Sequence, residues 1–355
     1  MRKVAIIGAH GLYANYGGWD QLVNNLAEGK QNEDFEYLIF NSSQSPKEVI
    51  SPKGVVVRRI NLKSSGFMGL FYDFYSILLC YFKVDTILFL GVQGMPLVAF
   101  LALFKKINIV SNMGGIEWER PKFGYLAKQY LKFCFWLGLV YSKWVVLDNE
   151  HYFTFVPKKY LRKCVVIPYG GMIDFTLEVS DKLIGKYPFL QEDYFLSISR
   201  SLEDNQIAEI CEAFVHSKHQ LVLISNFSKS EYGNKVYNKY KDYRNIVLIN
   251  GLYNKQELDL VRRNCKAYIH THTLCGTAPS LVEMVVSGRP IISFEIPQNR
   301  FTLNNQAAFF DSFNQLEQIF DHSDLRKYQS TDELKSRYEW KKIIKMYEAS
   351  YQEAE

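Results

Sequence analysis

The chain has no pair of cysteines at C-x-x-C spacing. Its six cysteines, Cys80, Cys134, Cys164, Cys211, Cys265 and Cys275, are scattered, the nearest two ten positions apart. That argues against a zinc ribbon or a thioredoxin-type dithiol. No D-x-D motif occurs, so the common carboxylate pair for a divalent metal is missing. No G-x-S-x-G elbow supports a serine hydrolase. The glycines near the start are not spaced G-x-G-x-x-G, so a dinucleotide fingerprint is not supported. Charge of one sign is nearly balanced: 42 Lys and Arg against 37 Asp and Glu leave +5, too little to argue for nucleic acid. No low-complexity tract or short repeat is present. The opening MRKVAIIGAHG carries no long apolar run before a small-residue cleavage site, so a cytoplasmic, reducing home is expected. One stretch, Thr86–Phe104, lacks charge over 19 residues. Gly91, Gln93, Gly94 and Pro96 break it, so it reads as a buried strand, a turn and an apolar helix rather than a membrane span.

What remains is ordinary globular composition, 48% hydrophobic and 22% charged, with a heavy aromatic share of 15%. A length of 355 residues predicts two domains. In the first half, buried-type strands at Val4–Gly8, Phe35–Phe40, Val55–Ile60, Thr86–Leu90, Ile107–Ser111 and Trp144–Leu147 alternate with helical stretches at Gly17–Leu26, Phe67–Phe82 and Tyr125–Tyr141. After Pro168-Tyr169-Gly170-Gly171, a natural hinge, the pattern restarts. Strands at Tyr194–Ser199, Leu221–Ser225, Ile246–Ile249, Ala267–His270 and Pro290–Phe294 flank helices at Ile207–His216, Lys255–Asn264 and Ser280–Ser287. Residues 338–351 are helical in period. Alternation of this kind predicts two parallel, doubly wound sheets, whose ligands bind at the carboxyl ends of the strands.

Two glycine-bearing strand-to-helix turns stand out. Gly8-Ala9-His10-Gly11 leads to Gly17-Gly18-Trp19-Asp20. Thr271-His272-Thr273-Leu274-Cys275-Gly276-Thr277-Ala278-Pro279-Ser280 opens a helix at Pro279 or Ser280. In the second, the N–H groups of Thr277, Ser280 and Leu281 are expected to cradle a diphosphate, with Glu283 one turn in, within reach of sugar hydroxyls. His270 and His272 flank a strand end, but no carboxylate or cysteine stands at zinc-ligand spacing, so no metal is expected.

The stretch from Gly251-Leu252-Tyr253 through Arg262-Arg263-Asn264, Tyr268-Ile269-His270 and Gly276-Thr277-Ala278-Pro279-Ser280-Leu281-Val282-Glu283-Met284 to Ser287-Gly288-Arg289-Pro290 resembles the donor-binding half of bacterial family 4 glycosyltransferases. The rhamnosyltransferase-like branch is the nearest. His10–Asp20 resembles that branch's glycine loop, and Asn112-Met113-Gly114-Gly115-Ile116-Glu117-Trp118-Glu119-Arg120 resembles its NxDGLEWxR. The matches are collinear over nearly the whole chain.

The resemblance implies an α/β GT-B fold: two facing doubly wound Rossmann-like domains with a cleft between, and a C-terminal helix returning to the N-terminal domain. Residues 1–170 with 336–355 would form the acceptor-side domain, and residues 171–335 the nucleotide-sugar donor domain. It further implies a retaining, metal-independent glycosyltransferase with no cofactor, the nucleotide sugar being a substrate. Its acceptor would be an undecaprenyl-diphosphate-linked oligosaccharide in O-antigen or capsule synthesis, at the inner face of the cell membrane, with no nucleic-acid partner. Arg200 and Glu283 are the catalytic candidates. Gly17, Gly18, Asn205, Gly276, Thr277, Ser280 and Leu281 are the donor-binding candidates, and His10, Asn112, Glu117, Trp118 and Arg120 lie on the acceptor side. The chain departs from the family at Cys275, where the first Glu of E-x7-E would fall, at Asn205 for a Lys, and at Gly114 for an Asp. Cysteine accepts hydrogen bonds poorly, which favours a deoxyhexose donor, dTDP-L-rhamnose first. A sugar-nucleotide-binding protein without transfer activity and a nucleotide-sugar epimerase on the same fold are the alternatives.

Residues 120–163 carry nine Lys and Arg against Asp148 and Glu150, a net +7, interleaved with seven aromatics between Phe123 and Tyr141. Basic plus aromatic is the composition of a surface that meets anionic lipid. A core helix with a solvated basic edge fits the same residues.

Overall fold

The computed structural model describes residues 1–14, 17–119, 123–322 and 324–352. The chain forms two compact units, Met1–Tyr169 with Trp340–Glu355, and Gly170–Glu339. The first unit runs β1 (Arg2–Ile7), α1 (Gly18–Glu28), β2 (Phe35–Asn41), β3 (Val55–Arg59), α2 (Phe67–Cys80), β4 (Thr86–Leu90), α3 (Met95–Leu101), β5 (Asn108–Asn112), α4 (Tyr125–Tyr141), β6 (Trp144–Leu147) and β7 (Cys164–Val166). Its seven strands form one parallel sheet in the order β3-β2-β1-β4-β5-β6-β7. Helices cover both faces, so the central strands are apolar without interruption, and all five residues of β4 are buried. Successive side chains still divide by face. Ile87 and Phe89 pack with residues of α2, α3 and α4, whereas Leu88 and Leu90 pack with those of α1. The uncharged stretch after Thr86 is thus a strand, a turn and α3. Among the described residues no helix is long and apolar enough to cross a membrane.

Gly8 ends β1 with φ +98°, and a Cβ there would stand 2.0 Å from the carbonyl oxygen of Leu90. Gly11, at φ +128°, would meet Asn41 at 2.3 Å. Both glycines are required by the chain's own packing. Gly17 has an extended backbone, and a Cβ there would meet nothing within 4 Å.

The second unit runs α5 (Asp181–Lys186), β8 (Tyr194–Ile198), α6 (Ile207–Phe214), β9 (Gln220–Ser225), α7 (Glu231–Tyr240), β10 (Ile246–Asn250), α8 (Lys255–Asn264), β11 (Ala267–His270), α9 (Pro279–Ser287), β12 (Ile291–Phe294), α10 (Pro297–Leu303), β13 (Ala308–Phe310), α11 (Phe313–His322) and α12 (Asp332–Arg337). Its sheet is parallel too, in the order β10-β9-β8-β11-β12-β13. The strand order reverses beside β8 and β11, which places the loops following these two strands at the topological switch point.

The last helix, α13 (Trp340–Tyr351), belongs to the first unit. Ile343, Ile344, Tyr347 and Tyr351 enter the core on the α1 face, and the Tyr351 ring meets Phe35 edge-on at 5.6 Å. Asn112, at the end of β5, donates to the Tyr347 hydroxyl at 2.7 Å and accepts from Gly114 N–H at 2.8 Å. Asn112→Ala is expected to cost about 1–3 kcal/mol, because two buried groups lose their partners. A urea midpoint measures that loss, and nucleotide-sugar binding should be unchanged.

Candidate functional site

The carboxyl ends of β8 and β11 lead into two loops that are bonded to each other. Asn205 Nδ2 donates to the carbonyl of Arg200 at 2.8 Å, which closes the β8–α6 loop on itself. Thr271 Oγ1 donates to the Asn205 carbonyl. Thr273 donates twice to the Asp204 carbonyl, from N–H at 2.9 Å and from Oγ1 at 3.0 Å. The loop that carries Arg200 is therefore fastened to the loop that opens α9. Gln206, at the hinge into α6, takes φ +52°, a left-handed conformation held by this bracing.

Arg200 is exposed, and its guanidinium has no carboxylate partner among the described residues. Asn205 is buried and its amide nitrogen is engaged within the loop, so it positions Arg200. The N-cap of α9, Ala278, offers no side-chain acceptor to the first turn, and Pro279 has no N–H. The expectation that the Leu281 N–H points at a ligand is corrected. It donates to the Ala278 carbonyl at 3.0 Å, and the side chain is buried in the core. Thr277 is buried, and Gly276 and Ser280 are half-buried. At the strand ends, Ser199 Oγ and His270 Nδ1 are buried with no hydrogen-bond partner among the described residues. Buried polar atoms of that kind need an acceptor or donor from elsewhere.

Glu283 is the fifth residue of α9, and its carboxylate is engaged. One oxygen accepts from Arg262 Nη2, while Arg262 Nη1 holds Asp259 at 2.7 Å. Asp259 also accepts from Lys255 at 2.6 Å and from the Asp174 N–H at 2.9 Å. Burial raises the Glu283 pKa, and Arg262 opposes the rise. Two cations and two carboxylates thus form a chain from the surface to a buried arginine. From the sequence Arg262 enters only as part of the Arg262-Arg263-Asn264 match, without a role, and Asp259 does not enter. The available signal was the spacing of Asp259, Arg262 and Arg263 on a helix that must bury one face.

The cysteine at 275 is not isolated either. Its Sγ lies 4.0 Å from His270 Nε2 and donates to Asn299 Oδ1 at 3.5 Å. His270, His272 and Cys275 hold their ligand-type atoms within 4.8 Å of one another, so the loop supplies the cysteine that linear spacing did not reveal. Burial, then the neighbouring His272, holds the His270 pKa well below its ordinary value.

In the first unit, the His10 N–H donates to Asp20 at 2.9 Å and its ring Nδ1 lies 3.2 Å from the same carboxylate. Gly17 and Gly18 open α1 beside this pair. Trp118 is buried edge-on against Phe135 at 4.9 Å, within the core. Asn112 is likewise committed to Tyr347. Glu117 is half-buried. Arg120 lies outside the described residues, as does Lys122 of the basic segment. A cavity of about 320 Å³ lined by Phe175, Arg263 and Arg289 opens at the amino ends of β11 and β12, away from these loops.

Residues 1–172 match a family model described as a domain of unknown function (DUF1972). No curated protein matches. Sucrose-phosphate synthase from Thermosynechococcus elongatus superposes with a TM-score of 0.77 at 14% identity, over 99% of this chain and 98% of that one. Anabaena HepE, in a complex with UDP-glucose, gives 0.71 at 10% identity over 99% of both chains. A glycosyltransferase from Rickettsia africae gives 0.70 at 14% identity over 98% and 97%. The two-sheet α/β architecture of this chain is therefore the GT-B fold.

Proposed function

We propose that this protein is a retaining glycosyltransferase that needs no metal. It would move a deoxyhexose, rhamnose first, from a nucleotide diphosphate donor to an undecaprenyl-diphosphate-linked acceptor at the inner face of the membrane, in O-antigen or capsule synthesis. The observation that carries the reading is the fastening of the Arg200 loop to the loop opening α9. That fastening supports a reading in which the Arg200 guanidinium and the helix N-terminus of α9 act together at the switch point, with Glu283 further along the same helix. An arginine fork and a helix N-terminus both favour a departing diphosphate. A neighbour in the same fold, HepE, is seen with UDP-glucose. The choice of a deoxyhexose rests on Cys275, because a thiol engaged with Asn299 leaves no carboxylate there for a sugar hydroxyl.

A panel of nucleotide sugars tests this. A true donor at a hundred times its Kd is expected to stabilise the protein by about 2.7 kcal/mol, read as a raised Tm. Transfer from dTDP-L-rhamnose should outcompete UDP- and GDP-hexoses in a mixed assay. A preference for UDP-glucose or GDP-mannose would end the deoxyhexose reading, and no stabilisation by any nucleotide sugar would end the glycosyl-transfer reading.

A further inference from the structure

The outer face of three neighbouring helices in the first unit is apolar where a solvated layer is the rule. α2 packs beside α3, and α3 beside α4, all on the same face of the sheet. Their inner sides supply the core. Their outer sides carry large side chains turned to solvent: Phe67 is 77% exposed and Leu126 82%. The aromatic rings here do not fold inward but pair with each other on the surface. Phe67 meets Phe71 at 5.3 Å, Phe100 meets Phe104 at 5.4 Å, and Phe133 stacks on Trp136 at 6.2 Å. An apolar surface spread over three helices marks an interaction site.

Within the three helices the exposed charges have one sign. The only carboxyl group within α2, α3 and α4 is Asp73, which is buried, and burial pushes it up to about 8. Lys63, Lys83, Lys105, Lys106 and Lys132 are exposed around the apolar area. The flanking segments carry exposed Asp85 and Glu119, fewer than the lysines, so a second copy of the chain would set mainly lysines against lysines. Phosphate headgroups over an acyl layer answer both the lysines and the rings. Two lysines of the basic segment are occupied differently: Lys163 caps the carbonyls of Val140 and Ser142, and Lys143 holds the carbonyl of Gln352.

We propose that the outer face of α2, α3 and α4 docks flat on an anionic bilayer, rings in the headgroup–acyl boundary and lysines on the phosphates. This deepens the peripheral placement in the proposed function by naming the surface, which keeps α4 from the basic run at 120–163 and adds α2 and α3.

The test is co-sedimentation of the full chain with vesicles of phosphatidylglycerol and phosphatidylethanolamine, against phosphatidylcholine alone. The protein should pellet with the anionic vesicles and be released by high salt. F71S/F104S/W136S and K105E/K106E/K132E should each lower the bound fraction roughly tenfold or more. Both should keep the wild-type Tm and the wild-type Tm shift with a nucleotide sugar. Wild-type protein left in the supernatant, or variants that pellet like wild type, would overturn the proposal. So would a dimer in light scattering that the aromatic variant splits while vesicles bind neither form. Vesicle binding without any nucleotide-sugar shift would uphold the surface while removing the glycosyl-transfer reading.

Discussion

Replacing Arg200 by alanine is expected to lower turnover in the transfer reaction by roughly 10²–10³, the scale of losing one preorganised donor to a developing charge. The expectation follows from what surrounds this residue. Its backbone carbonyl is held by Asn205, and that loop is fastened to the β11–α9 loop, so the position is fixed while the side chain stays exposed. No carboxylate among the described residues neutralises the guanidinium. The metal-free transfer proposed above requires that groups of this kind meet the leaving diphosphate. Because Arg200 is exposed, the variant should unfold at the wild-type midpoint. Arg200→Lys should recover only part of the rate, since an ammonium cannot make the bidentate contact. Near-normal turnover in Arg200→Ala would remove the residue from the reaction.

The path from sequence to fold was short where periodicity was strong. Thr86–Leu90, Tyr125–Tyr141, Trp144–Leu147, Lys255–Asn264 and Ala267–His270 are bounded in the structure as the apolar pattern bounds them. These elements are buried on one or both faces, so the pattern and the packing are the same fact. Two of the elements not foreseen lack that pattern, whereas α11 has it in Phe313, Leu316, Ile319 and Phe320 and was missed all the same. α7 (EYGNKVYNKY) is polar with a glycine in its first turn, and it is held by Ser230, which caps it by accepting from the Gly233 N–H at 2.9 Å. β13 is three residues long at a sheet edge. The candidate site was legible at the level of loops, because glycines, a proline and an arginine after a strand are visible in one dimension. Which donors are already engaged is not visible. Leu281 N–H, Asn112 and Trp118 each suit a ligand by type, and each is committed to the protein's own structure. Cys275 joins His270 only through the return of a loop.

Arg262 is where the largest loss of stability is expected. Replacing it by methionine keeps the volume and leaves Glu283 and Asp259 without their shared cation. Removing one partner of a buried ion pair costs about 3–5 kcal/mol, because the remaining charge stays desolvated. Lys255 still reaches Asp259 from the surface, so the uncompensated group is chiefly Glu283. The pH dependence has a definite sign. Burial already raises the Glu283 pKa above the ordinary 4.5, and Arg262 restrains that rise. Without the arginine the folded pKa moves further up. A carboxyl whose folded pKa exceeds its unfolded value takes up protons on folding, so its unfavourable contribution grows as pH rises through that window. The deficit of Arg262→Met against wild type should therefore be smallest near the unfolded pKa and reach its full size above the raised one. Urea midpoints across that range measure it, and a deficit independent of pH would show that lost packing is the cause. Glu283→Gln in the Arg262→Met background removes the stranded charge and should restore part of the stability. In an otherwise wild-type chain, Glu283→Gln should weaken donor binding and leave the pH profile of turnover where it was. That combination separates a carboxylate held by Arg262 to bind sugar hydroxyls from one that transfers a proton.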